Sequence, residues 1–114
     1  MRILVCGGRG FSNRSRFDSI MDWFADAHDL VIIHGGARGA DNLAGDWADV
    51  NRTGLEVYPA DWDKYGKAAG FIRNQQMLDE GKPDLVVAFP GGNGTADMIR
   101  RARKAGIEVL KVVA

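Results

Sequence analysis

Met1-Arg2-Ile3-Leu4-Val5-Cys6-Gly7-Gly8-Arg9-Gly10 sets a short apolar run directly against a glycine cluster, and that junction decides the fold. A run of strand length, rich in β-branched residues and ending in glycines, is how a buried parallel strand passes into a helix. The unit recurs. Apolar runs at Ile3–Cys6, Leu30–Ile33, Leu55–Tyr58, Leu85–Phe89 and Ile107–Val113 alternate with helical stretches over Ser15–His28, Ala40–Asn51, Ala68–Glu80 and Ala96–Ala105. In the first helix Phe17, Ile20, Met21 and Phe24 share one face. Gly54, Gly81 and Gly106 stand where helix C-terminal glycines are expected. Strand alternating with helix predicts right-handed βαβ units. The fold class is therefore α/β, a Rossmann-like three-layer sandwich of about five parallel strands with helices on both faces.

The 114 residues fit one domain, 1–114, with no repeat or linker dividing it. Lys plus Arg and Asp plus Glu number 15 each, so bulk charge gives no reason to expect nucleic acid as a partner, and any anion must be held locally. The single cysteine, Cys6, lies in an apolar run with no metal-ligand spacing around it, which points to a reducing, cytoplasmic setting and to no metal. No apolar run approaches the ~18 residues needed to cross a bilayer, and no membrane partner or cofactor is expected.

Three strands run at once into glycines: Gly7-Gly8-Arg9-Gly10 after the first, Gly35-Gly36-Ala37-Arg38-Gly39 after the second, Gly91-Gly92-Asn93-Gly94-Thr95 after the fourth. All three loops belong to one edge of a parallel sheet, where open α/β sheets bind ligands. Glycine there permits tight strand-to-helix turns and lets backbone N–H groups approach an anion. Thr95 adds a hydroxyl, and Arg9 and Arg38 can swing over a phosphate. Asp41 either contacts ribose hydroxyls or favours the helix start, and His34 either donates to a ligand or is a hydrogen-bonded histidine at the sheet edge. The dinucleotide fingerprint is absent, because the third slot after Gly8 and Gly10 is Asn13. No G-x-x-x-x-G-K-[ST] occurs either. The long connection Pro59–Lys67, with Trp62 and Tyr65, forms a wall of the site or a loop packed down by its own aromatics.

Phe89-Pro90-Gly91-Gly92-Asn93-Gly94-Thr95-Ala96-Asp97 resembles the P-G-G-x-G-T-x-[ED] signature of the SLOG superfamily, which includes the Lonely Guy phosphoribohydrolases and the DprA DNA-processing proteins. His34-Gly35-Gly36-Ala37-Arg38-Gly39-Ala40-Asp41 with Trp47-Ala48, and Ala60-Asp61-Trp62 through Ile72-Arg73-Asn74, are similar to its YspA-like branch, with Phe71 where proline is expected. The resemblance implies a nucleotide or nucleotide-derived ligand bound by Gly7, Gly8, Arg9, Gly35, Gly36, Arg38, Gly39, Asp41, Arg73, Asn74, Pro90, Gly91, Gly92, Gly94 and Thr95. It implies Arg73 and Asp97 as the catalytic pair, should the chain release a base from a nucleoside 5′-monophosphate. Asp97 is one methylene shorter than the family's glutamate, and Asn74 replaces the lysine beside the arginine. The readings left open are a sensor, carrier or weak processing protein, a phosphoribohydrolase, and DprA-like binding of single-stranded DNA. The resemblance also implies a homo-oligomer, a dimer, built through the helices that carry the arginine and acidic motifs.

Overall fold

The computed structural model describes residues 1–113, so the domain expected over 1–114 is described up to Val113. Five strands, β1 Arg2–Cys6, β2 Val31–His34, β3 Gly54–Val57, β4 Leu85–Ala88 and β5 Glu108–Lys111, form one sheet in the order β3-β2-β1-β4-β5. Every ladder is parallel. Between the strands run α1 Arg14–Ala27, α2 Ala40–Val50, a short α3 Trp62–Tyr65, α4 Ala69–Gly81 and α5 Asn93–Lys104.

Period-two alternation along the central strands divides the core. Ile3 and Val5 join Ile32 and Val87 under α1 and α2, packed against Phe17, Met21 and Trp47. Leu4 and Cys6 join Ile33 and Val86 on the other face, under Met77 of α4 and Met98 of α5. The central strands β1 and β4 are buried throughout or nearly so, as strands covered on both faces must be. The edge strands β3 and β5 are largely exposed.

The chain runs from β1 outward through β2 to β3, then returns to the other side of β1 for β4. The reversal leaves a crevice beyond the carboxyl ends of β1 and β4, the topological switch point of the sheet. Hydrogen bonding between these strands continues into their loops, Phe89 N–H to Cys6 O at 2.9 Å and Gly8 N–H to Pro90 O at 2.9 Å.

Four local expectations are corrected. The connection Pro59–Lys67 holds α3, whose N-terminus is capped by Asp61 Oδ1 accepting from Lys64 N–H at 3.1 Å. The helix expected from Ala96 begins at Asn93, so Gly94 and Thr95 lie in its first turn. Gly106 takes the left-handed conformation after α5, with φ +78°, but Lys82 and Arg52 take that conformation near the ends of α4 and α2, with φ of 46° and 52°. Gly81 and Gly54 answer to packing instead. A Cβ on either would come within 3.2 Å of Ile33 or Val31.

Candidate functional site

At the switch point lies a cavity of about 440 Å³. Its walls bring together Gly7, Gly8 and Arg9 from the β1–α1 loop, Asp41 from α2, Arg73 and Asn74 from α4, and Gly92, Gly94 and Thr95 from the start of α5. A second cavity of about 650 Å³ shares Gly8, Arg9 and Gly92 with it and adds Pro90 and Gly91. Gly35, Gly36, Arg38 and Gly39 do not line the first cavity, and Arg38 is exposed.

The glycines divide by what surrounds them. A Cβ on Gly91 would stand 2.6 Å from Gly8 N and against the Thr95 side chain. One on Gly39, whose φ is +78°, would strike Gly8 O and the Arg9 backbone. These residues are glycine because two loops cross. Gly92 and Gly94 have nothing within 4 Å of an added Cβ and no positive φ. No packing accounts for them, and both face the cavity. Gly92 is the N-cap of α5 and supplies no capping side chain, so the first-turn N–H groups, which have no acceptor within the helix, receive none from the cap at the helix's positive end.

Arg73 is the half-buried cation of the site, beside the exposed Arg9 and Lys67. Its Nη1 donates to Gly35 O at 2.5 Å and Tyr58 O at 3.5 Å, and its Nε to Asn74 Oδ1 at 3.3 Å. All three acceptors are neutral. No carboxylate lies within ion-pair distance of the guanidinium among the described residues, and burial pushes its pKa below the usual value, with nearby Asp41 pulling the other way. A half-buried guanidinium held by carbonyls keeps its charge available for an anion.

Asp41 is buried, and its Oδ2 accepts from Gly35 N–H and Ala37 N–H at 3.1 Å each, so it shapes the β2–α2 loop from inside. Burial raises its pKa, opposed chiefly by the bond from Ala37. His34 Nδ1 accepts from Gly36 N–H at 2.9 Å, the hydrogen-bonded sheet-edge histidine. Burial, then Arg73, lowers its pKa, so the imidazole is neutral at pH 7 with its proton on Nε2.

Asn74 is buried and links the two halves of the expected pair. Its Nδ2 donates to Gly94 O and to Asp97 Oδ2, each at 3.1 Å, while its Oδ1 accepts from Arg73. Asp97 itself does not line the cavity. It is buried on α5 where that helix meets α4, and Arg100 and Arg101 of its own helix reach Oδ1 at 2.9 Å and Oδ2 at 2.8 Å. The pair implied by the resemblance is thus split: Arg73 faces the cavity, and Asp97 joins α5 to α4 directly through Asn74 and indirectly through Arg101, which also donates to Gln75 Oε1 at 3.0 Å.

Sequence reasoning missed Cys6, Lys67, Phe71 and Met77, which also line the cavity. Cys6 was legible from alternation, since it shares a face with Leu4 and closes β1 just before the glycines. Burial pushes its thiol up to about 12, which makes it a piece of apolar floor rather than a nucleophile. Trp62 lines the cavity from α3, so the long connection does form a wall.

A family model described as YspA, cpYpsA-related SLOG family matches residues 1–65. The Gene 61 protein of Mycobacterium phage D29 is 40% identical over 121 residues, an alignment covering 96% of this chain and 94% of that protein. Among solved structures, the C-terminal domain of a hydrogenase from Pyrococcus furiosus superposes with a TM-score of 0.58 at 13% identity, covering 97% of this chain and 90% of that one. That likeness concerns the α/β fold alone. No helix among the described residues is long and apolar enough to cross a membrane.

Proposed function

The chain belongs to the YspA, cpYpsA-related SLOG family, and from that premise we propose that it binds a nucleotide or nucleotide-derived small molecule in the cavity at the switch point. The observation that carries the reading is the pair Gly92 and Gly94, two glycines facing the cavity with open space where a side chain would stand. The uncapped first turn of α5 receives the phosphate there, and Arg73 supplies the matching charge. Asp97, engaged by Asn74, Arg100 and Arg101, supports binding over base release, because a carboxylate that stabilises an oxocarbenium must face the sugar.

The test is a thermal melt against a panel of nucleotides, ribose phosphates and dinucleotides. A ligand at about 100 times its dissociation constant stabilises by about 2.7 kcal/mol, roughly 10 °C in the melt of a domain of this size. A panel in which no member shifts the melt sinks the reading.

We also propose that the chain forms a homodimer through α4 and α5. Phe71 and Ile72 are exposed on α4, Asp79 and Glu80 follow on the same helix, and Arg100 and Lys104 stand exposed on α5. A two-fold axis through such a face can set acidic and basic ends against each other. Light scattering at high micromolar concentration that returns the 12.4 kDa monomer rejects it.

A further inference from the structure

Trp62 is 51% exposed and lines the cavity. It is the only tryptophan that does so. Trp47 is buried, its Nε1–H donating to Asp22 Oδ1 at 3.0 Å, and Trp23 lies on α1, edge-on to Phe24 at 5.0 Å. Trp62 opens α3, whose N-cap is Asp61, and its ring lies beside Gly70, where an added Cβ would come to 3.5 Å from the ring's Cη2. Core packing does not explain a large ring held half in solvent at the edge of a cavity.

Arg9 stands over that ring, its Cζ 6.0 Å from the ring centroid. It has no carboxylate within ion-pair distance among the described residues, and it is exposed on a loop flanked by glycines. A flat group between ring and guanidinium needs about 3.5 Å on each side, roughly 7 Å in all. The present separation falls about 1 Å short of that, which an exposed arginine closes by a small change of rotamer.

We propose that Trp62 is the seat of the ligand's nucleobase, with Arg9 covering the base's second face, so that the site selects base-bearing nucleotides over sugar phosphates. The inference rests on the nucleotide reading of the same cavity. A heteroaromatic base offers a π face to the indole and a second one to the guanidinium; a sugar offers neither. Stacking of this kind tolerates any base, so the discrimination is for the presence of a base rather than for its identity.

The experiment titrates the protein with the four common ribonucleoside 5′-monophosphates and with ribose 5-phosphate, which keeps sugar and phosphate and lacks the base. Intrinsic tryptophan fluorescence and calorimetry are read together. The nucleotides are expected to quench the fluorescence and to bind about 5- to 150-fold more tightly than ribose 5-phosphate, the range set by one stacked base. In Trp62→Ala the nucleotides fall to the level of ribose 5-phosphate, whose own affinity is unchanged; in Trp62→Phe most of the preference returns. Equal binding of nucleotides and ribose 5-phosphate by the wild type, or nucleotide affinity unchanged in Trp62→Ala, overturns the base seat while the phosphate site stands. Binding of neither class overturns both readings.

Discussion

Gly91 and Gly94 lie three residues apart in one glycine-rich stretch, and their surroundings are opposite. Gly91 sits where the β4–α5 loop crosses the β1–α1 loop, with Gly8 N 2.6 Å from where its Cβ would be. Gly94 is in the first turn of α5, with nothing within 4 Å of the same atom. The first glycine is a condition of the fold. The second is a helix residue with a poor helix propensity, and the open space beside it belongs to a cavity. Glycine content alone does not separate a ligand loop from a packed turn; the contacts of the missing Cβ do.

The comparison breaks first, and hardest, at the crossing. Gly39→Ala combines a left-handed φ of +78° with overlap on the Gly8 and Arg9 backbone, and Gly91→Ala forces the Gly8 strand end and Thr95 apart. Each is expected to cost roughly 3 kcal/mol or more in chemical denaturation, from strain and lost packing together. A loss below about 1 kcal/mol in both variants would mean that the loops yield without cost and that the crossing is not a constraint.

At the first turn of α5 the sign reverses. Gly94→Ala introduces a better helix former into open space and is expected to leave stability unchanged or raise it by up to about 1 kcal/mol. The same methyl intrudes where phosphate meets the backbone, so the ligand-induced stabilisation of about 2.7 kcal/mol is expected to be largely lost. A more stable protein that responds fully to nucleotide would separate Gly94 from the ligand and leave its glycine without a cause.

Asp97 extends the comparison down α5, one turn beyond Gly94. Its partners Asn74, Arg100 and Arg101 assign it to the fold, with Arg100 largely in solvent. Asp97→Asn is expected to cost about 1–2 kcal/mol, the order for hydrogen bonds to a charged group whose cations remain partly solvated. Nucleotide affinity should stay within a few-fold. An affinity loss of 100-fold with stability intact would move Asp97 to the ligand's side.

Much of this was legible in the sequence. The strand–glycine junctions gave the parallel sheet and the edge at which the cavity lies, because burial on both faces leaves continuous apolar runs in β1, β2 and β4. The edge strand β3 was placed within one residue at each end, as β2 was, whereas β5, expected over Ile107–Val113, is confined to Glu108–Lys111. Side-chain commitments were not legible. Nothing in the spacing of Asn74 and Asp97 says that one amide hydrogen-bonds both Gly94 O and the Asp97 carboxylate, or that Arg73 rests on carbonyls. Those facts depend on the angle at which α4 crosses α5, a tertiary property. The α3 turn was hidden for a related reason: four residues carry too little periodicity to register, and the Asp61 cap was the one local sign of it.

The smallest expected effect concerns the β2–α2 loop, where a buried histidine and a buried aspartate titrate in opposition. Burial and Arg73 lower the pKa of His34, so the unfolded chain takes up its proton first as pH falls below about 6.5. The stability tied to neutral His34 is therefore fully present above pH 6.5 and is lost as pH falls through the folded value. Asp41 runs the other way. Its folded pKa is raised by burial, so its contribution is present below the unfolded value near 3.8 and lost as pH rises through the folded one. His34→Asn retains an acceptor close to the position of Nδ1 for Gly36 N–H and removes the titration. Relative to this variant, the wild type is expected to lose stability below pH 6.5 with a slope of at most about 1.4 kcal/mol per pH unit, the limit for one proton. Urea melts of the two proteins between pH 7.5 and 5 measure the difference directly. Parallel pH dependences would show that His34 takes its proton on Nδ1, and gives up the bond from Gly36 N–H, at no cost, and the β2–α2 loop would then have to be more open to water than its buried histidine indicates.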